Sequence, residues 1–359
     1  MEKPMFYQYI TRGGLPARIG SPDVEANPAR DSGYQPWPGA PSYQFTGQNM
    51  NRSFRFWLMV LLLAVTADSL GQVKNGFNLS DALVPEEEIL SGGPPRDGIP
   101  AIDAPRFVPA DAATFLQDND RVLGITRNGV SKAYPVAILN WHEIVNDRFV
   151  DEPVVVTYCP LCGTGIAYLA RAGEQVLAFG VSGLLYNSDM LLYDRQTQSL
   201  WSQIRRQAIS GPLRGAQLQA IPLLHTQWAD WKQHHPETLA LSTETGYERD
   251  YASNPYAGYE HTRELWFPVQ AQDERFHPKE LVLGIEIDGD FKAYPFMELE
   301  KSGGEVRDTL AGRSVVVHYD RGHQAAHAVD AQGAALPGVT AFWFAWYAFH
   351  PDTAVYRAH

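Results

Sequence analysis

Two cysteines in 359 residues are too few for a disulfide-built scaffold, which needs several spread along the chain. Positive charge is also scarce. Lys and Arg total 29 against 41 Asp and Glu, a formal net charge of −12. No basic cluster stands out, so a general nucleic-acid binder, whose affinity rests on phosphate neutralisation, is excluded. Gly-x-Gly-x-x-Gly and P-loop patterns are missing, so no nucleotide cofactor is expected. Gly-x-Ser-x-Gly and His-Glu-x-x-His are missing too, which removes the common serine hydrolases and zinc proteases. No apolar run is long enough to cross about 30 Å of hydrocarbon as a helix. The longest, Phe56–Val65, spans about ten residues.

That run has a specific context. Met50, Arg52 and Arg55 precede it, and Thr66, Ala67, Asp68, Ser69 and Gly71 close it. Basic start, apolar centre and small-residue end are the layout of a secretory signal. Residues 50–71 are therefore expected to be a signal peptide, cleaved after Ser69 or Gly71. Residues 1–49, rich in Pro and Gly, are expected to be a gene-model extension or disordered. The mature protein would then be exported, periplasmic or extracellular, and not integral to a membrane. A hydrophobic content of 45% with 19% charged residues suits a globular chain with a sizeable core.

The mature part repeats itself. Val122–Pro135 (VLGITRNGVSKAYP) matches Val282–Pro295 (VLGIEIDGDFKAYP), 160 residues on. Val154–Tyr158 (VVVTY) matches Val315–Tyr319 (VVVHY). Trp228-x-x-Trp231-x-x-x-His235-Pro236-Glu237-Thr238 matches Trp343-x-x-Trp346-x-x-x-His350-Pro351-Asp352-Thr353. Three blocks in one order predict an internal duplication into two pseudo-symmetric lobes. The expected plan is an N-terminal arm at 72–118, copy one at 119–242, an irregular linker at 243–278 and copy two at 279–359. Asn-Gly and Asp-Gly between the VLGI and KAYP segments predict tight hairpins. Helical spacing covers Val136–Val145, a short helix is expected over Thr226–His235, and Met190–Ile204 reads as a hairpin turning near Asp194–Gln198. The fold class is α+β, rich in antiparallel sheet.

The chemistry centres on Tyr158-Cys159-Pro160-Leu161-Cys162-Gly163-Thr164-Gly165. A buried strand delivers Cys-x-x-Cys into a Gly-rich turn, so both sulfurs can reach one metal ion or each other. Gly163-Thr164-Gly165 is a poor helix start, which argues against a thioredoxin arrangement. With no further cysteine, a metal must recruit other donors. His142 is the first candidate, with Glu143 beside it as an acid or base. Asn187, Asp189 and Met190 form a polar turn able to line a pocket. Aligning the VVV strands sets Asp320 where Cys159 stands and His323 where Cys162 stands. Either the four share one composite site, or copy two kept only the scaffold; the second is preferred.

The segments NWHEIVND, YCPLCGT, GLLYNSDMLLYDRQTQSLWSQ and FAWYAFHPDT resemble a family of exported bacterial and archaeal proteins, domain of unknown function 3179. The resemblance spans about residues 95–357. It implies no established activity, and it sets His142, Cys159 and Cys162 within the family's characteristic segments. Two functions follow. One is an exported copper- or zinc-binding or thiol-redox protein with Cys159 and Cys162 as ligands or redox pair. The other is an exported module binding a small molecule or partner, with a structural Cys159–Cys162 disulfide.

Overall fold

The computed structural model describes residues 73–358. The expected extension and signal segment lie outside the described residues. Among the described residues, no helix is long and apolar enough to cross a membrane.

Strands dominate and most neighbours run antiparallel, as an α+β chain requires. Both predicted hairpins form, and in the same register. Val122 faces Pro135 and Arg127 faces Val130; Val282 faces Pro295 and Ile287 faces Asp290. Their turns are Asn128-Gly129 and Asp288-Gly289, all four with φ between +51° and +88°. Two positive-φ residues match the twist of a two-residue hairpin, which is why Asn-Gly and Asp-Gly stand there. Each hairpin ends in Pro, and each Pro opens a short helix: α1 over Val136–His142, and its counterpart over Phe296–Leu299.

Each Trp-x-x-Trp block forms a helix as well, at Trp228–His234 and Trp343–Phe349. Trp231 donates to Thr238 Oγ1 at 2.8 Å, and Trp346 donates to Thr353 Oγ1 at 3.0 Å. The two indoles lie flat on Gly124 and Gly284, with no room for a β-carbon at either glycine. A parallel strand then follows in both places: Ala240 sits beside Ala133, and Val355 beside Ala293. Lys132 pairs with Asp147 as Lys292 pairs with Asp308.

The largest sheet joins the two hairpin systems. Strand Val339–Phe342 lies between Leu281–Ile287 and Thr164–Leu169, which is followed by Glu152–Cys159 and Ile144–Phe149. On the other side, Leu224–Gln227 runs against Ala325–Asp330 of a four-stranded sheet. A five-stranded sheet contains the Phe179–Tyr186 and Asp189–Asp194 hairpin, and the predicted Met190–Ile204 hairpin is its Asp189–Asp194 and Leu200–Ser202 pair.

Two boundaries differ from expectation. The helix predicted over 136–145 stops at His142, because Glu143 takes φ +59° and Ile144 begins a strand. The helix predicted from Thr226 starts at Trp228, because Leu224–Gln227 is paired with Arg121–Arg127. Residues 243–278 are irregular apart from a turn of 3-10 helix at Tyr259–His261. They are not a free tether: Tyr256, Tyr259 and Val269 pack into the core that holds both cysteines.

Candidate metal centre

Strand Glu152–Cys159 is buried from Pro153 onward and ends on Cys159. The chain turns through Pro160–Gly163 and re-enters the sheet at Thr164, which pairs with Cys159. Cys-x-x-Cys therefore spans a four-residue hairpin loop, not the first turn of a helix. The Cys162 amide donates to Cys159 O at 3.2 Å, and Gly163 at φ +60° closes the loop. Both cysteines are free thiols, 1% and 0% exposed.

A second hairpin loop meets them. Tyr186 pairs with Asp189 across the two-residue turn Asn187-Ser188, whose φ values are +51° and +66°. Asn187 pins this turn, accepting from the Gln270 amide at 2.9 Å and donating to Ala348 O at 3.3 Å. Ser188 O lies 3.9 Å from Cys159 Sγ and 3.4 Å from Cys162 Sγ. Asp189 Oδ2 accepts from the Ile204 amide at 3.1 Å, while its buried Oδ1 has no hydrogen-bond partner. One ligand atom each from Cys159, Cys162 and Asp189 lie within 4.8 Å of one another.

Glu143 borders this cluster. Its amide donates to Leu139 O and its carbonyl accepts from the Tyr158 amide, which fixes the side chain beside the strand end. Burial, then the like charge of Asp189, pushes its carboxyl up to about 8. Burial pushes Asp189 up to about 7 and raises both thiols. No lysine or arginine forms an ion pair with any of the four among the described residues. Two carboxyls and two thiols thus sit in a dry core without a countercharge, an arrangement costly for anions unless a cation joins them.

His142 is elsewhere engaged. Its Nδ1 donates to Pro100 O at 2.8 Å, so Nε2 accepts from Tyr251 OH at 2.7 Å. Tyr251 OH in turn meets Thr245 Oγ1 at 2.6 Å. Burial holds the imidazole down at about 4, hence neutral. The ring clamps helix α1 to the 243–278 segment and has no nitrogen left for a metal. Met190, 2% exposed, packs in the same core as the cysteines. Asp320 and His323 do not join the thiols; they gather with Asp230 in a separate cluster.

A family model described as "Protein of unknown function (DUF3179)" matches residues 96–353. The chain belongs to this family. Its description assigns no activity. Among curated proteins and solved structures, nothing matches the chain.

Sequence reasoning missed two residues of this cluster. Ser188 brings a carbonyl to both sulfurs, but a serine in a turn carries no distinguishing signal. Tyr259 comes from the irregular segment; its hydroxyl is buried, and burial followed by the two nearby thiols pushes its pKa up. The aromatic richness of 243–278 was the available clue. Chemically, the cluster offers two sulfurs and one carboxylate oxygen from three elements. A tetrahedral ion with Zn–S near 2.3 Å and Zn–O near 2.0 Å fits a set of this size.

Proposed function

We propose that the protein is an exported metal-binding protein that holds a divalent ion of the zinc class between Cys159, Cys162 and Asp189. The observation that carries the reading is the unpartnered, fully buried Asp189 Oδ1 beside two free thiols. Glu143 stands at the edge as a carboxyl that burial keeps protonated at neutral pH. Two thiolates alone would suit a cuprous ion; the carboxylate oxygen moves the set toward zinc. Cys, Cys and Asp together carry three negative charges when ionised, so a dication leaves a residual of about one, compatible with burial if Glu143 stays protonated.

Thiol exchange is less well supported. It needs an accessible thiolate, and both thiols are buried and raised. A structural disulfide would leave Asp189 Oδ1 without a partner. In an oxidising compartment a bound metal would keep two adjacent thiols reduced. Because both sulfurs are closed from solvent, the reading is a metal held in place rather than one that turns over substrate.

We further infer that the two hairpin systems are copies of one ancestral unit. Matching turns, indole-on-glycine contacts, parallel strands and Lys–Asp pairs support it. The thiol site then belongs to one copy only.

The test is metal content and free-thiol count on one sample, purified from the exported fraction without chelator. At least one zinc per chain with both thiols protected until unfolding supports the reading. A metal-free protein carrying a Cys159–Cys162 disulfide overturns it. N-terminal sequencing of the same sample is expected to begin at Leu70 or Gln72; a start within residues 1–49 overturns the export signal.

A further inference from the structure

A cavity of about 1030 Å³ opens between the Trp228–His234 helix and the four-stranded sheet. Asp230, His234, His318, Asp320 and His327 are among its lining residues. The geometry points to a second metal site at its edge, formed by Asp230, Asp320 and His323. The class of ion is a divalent transition metal such as zinc or manganese.

Three independent features support it. First, one ligand atom each from Asp230, Asp320 and His323 lie within 4.8 Å of one another. His323 Nδ1 is 2.8 Å from Asp320 Oδ2 and 3.8 Å from Asp230 Oδ1, and His234 Nδ1 is 3.1 Å from the same Asp230 oxygen. Within 4.0 Å the ion-pair partners of the two carboxylates among the described residues are these imidazoles; the buried Arg121 guanidinium donates to His323 O at 2.7 Å and acts on Asp230 from farther off. A histidine exchanges its proton for a metal readily, whereas a lysine or arginine would not.

Second, the Asp230 side chain is 9% exposed, so its charge is largely desolvated. Thr226 Oγ1 donates to Oδ2 at 2.6 Å and fixes the carboxylate, leaving Oδ1 facing the two imidazoles. Asp320 is fixed likewise: its Oδ1 accepts from the amides of Gly322 at 2.7 Å and His323 at 3.2 Å, leaving Oδ2 for a ligand. The donors are thus held before any ion arrives, the condition for a specific site.

Third, the loop repeats the geometry of the thiol site. Asp320 pairs with Ala325 across a four-residue loop, as Cys159 pairs with Thr164. Gln324 closes it at φ +46° where Gly163 stands at +60°. His323 occupies the loop position of Cys162. In each loop the third donor is an aspartate from another element, Asp189 or Asp230. Oxygen and imidazole donors replace sulfur, so this site takes harder ions than the thiol site does. Asp230 and Asp320 both face the cavity, where free coordination positions would meet an oxygen ligand such as water or a small carboxylate.

Zinc titration of the full chain carrying Cys159→Ser and Cys162→Ser, followed by calorimetry, isolates this site from the thiols. One zinc per chain is expected to remain. Asp230→Asn or His323→Ala in that background is expected to weaken binding at least tenfold, whereas Thr126→Ala, at another part of the cavity wall, leaves it unchanged. Should the serine variant fail to fold, the wild-type chain serves. Its saturating stoichiometry is expected to fall by one zinc on His323→Ala, with thiol protection retained. Absence of zinc from a folded serine variant, or an affinity or stoichiometry untouched by Asp230→Asn and His323→Ala, overturns the proposal.

Discussion

Asp189→Asn separates the metal reading from a purely structural role for the cluster. Asp189 is fully buried, and only one of its oxygens is satisfied, by the Ile204 amide. Without a metal the carboxylate is a liability. Desolvating an unpaired charged oxygen costs more than the roughly 1–3 kcal/mol of a neutral polar group. Asparagine is the same size, keeps the acceptor for Ile204 and removes the charge, although its new amide needs an acceptor of its own. Allowing about 1 kcal/mol for that imperfect match, the metal-free variant is expected to be about 1–2 kcal/mol more stable than metal-free wild type. At about 2–4 °C per kcal/mol for a chain of this size, that is a rise of about 2–8 °C in Tm. With zinc the order reverses. With His323→Ala in both proteins, so that the thiol site alone is read, the chain with Asp189 gains RT ln(1 + [L]/Kd), about 4 kcal/mol at a thousandfold excess over Kd, and the Asn variant gains little. The assay is thermal unfolding of both proteins with chelator and with zinc. A variant less stable than wild type in both conditions, or equally stabilised by zinc, refutes the reasoning.

Three further outcomes follow from the packing. His142→Gln is expected to loosen residues 243–278, seen as faster proteolysis there, while the zinc stoichiometry at saturation stays that of wild type; loss of one zinc would make His142 a ligand. Gly124→Ala and Gly284→Ala each drive a methyl into an indole ring and are expected to cost about 1–3 kcal/mol by overpacking, measured by denaturant unfolding. A cost near zero at both would mean the Trp231 and Trp346 rings are free to move. The His350 ring stacks on Phe291 at 4.0 Å, and burial, then Arg206, holds its pKa down at about 3. The unfolded chain therefore binds this proton first, so the stability contribution is whole above about pH 6.5 and is lost as pH falls toward 3. The loss from this group is up to about 2 kcal/mol at pH 5. His350→Gln is expected to flatten the acid limb of the stability profile; an unchanged limb contradicts the assignment.

The local devices of the fold were readable because they are local. Asn128-Gly129 and Asp288-Gly289 dictate their turns through φ alone, and Pro135 and Pro295 mark where strand gives way to helix. Cys159 and Cys162 read as one site because only two residues separate them. What escaped was set by distant contacts. Nothing near Ser188 and Asp189 in the sequence reveals that their turn meets the thiols, because Gln270 and Ala348 hold it there. His142 sits beside Glu143 as a ligand would, yet Pro100 and Tyr251 claim both its nitrogens. Asp230 falls inside the helix expected over Thr226–His235, and only the fold brings Asp320 and His323 against it. Glu143 was legible as an acid, but not the left-handed backbone at φ +59° that ends its helix and sets the carboxyl against the core.

The most direct test of the central claim is zinc X-ray absorption on the full chain carrying His323→Ala and one zinc per chain, so that the thiol site alone is read. The account predicts two sulfur neighbours near 2.3 Å and at least one oxygen near 2.0 Å, with both sulfurs lost in Cys159→Ser/Cys162→Ser. A zinc shell of nitrogen and oxygen without sulfur would contradict it.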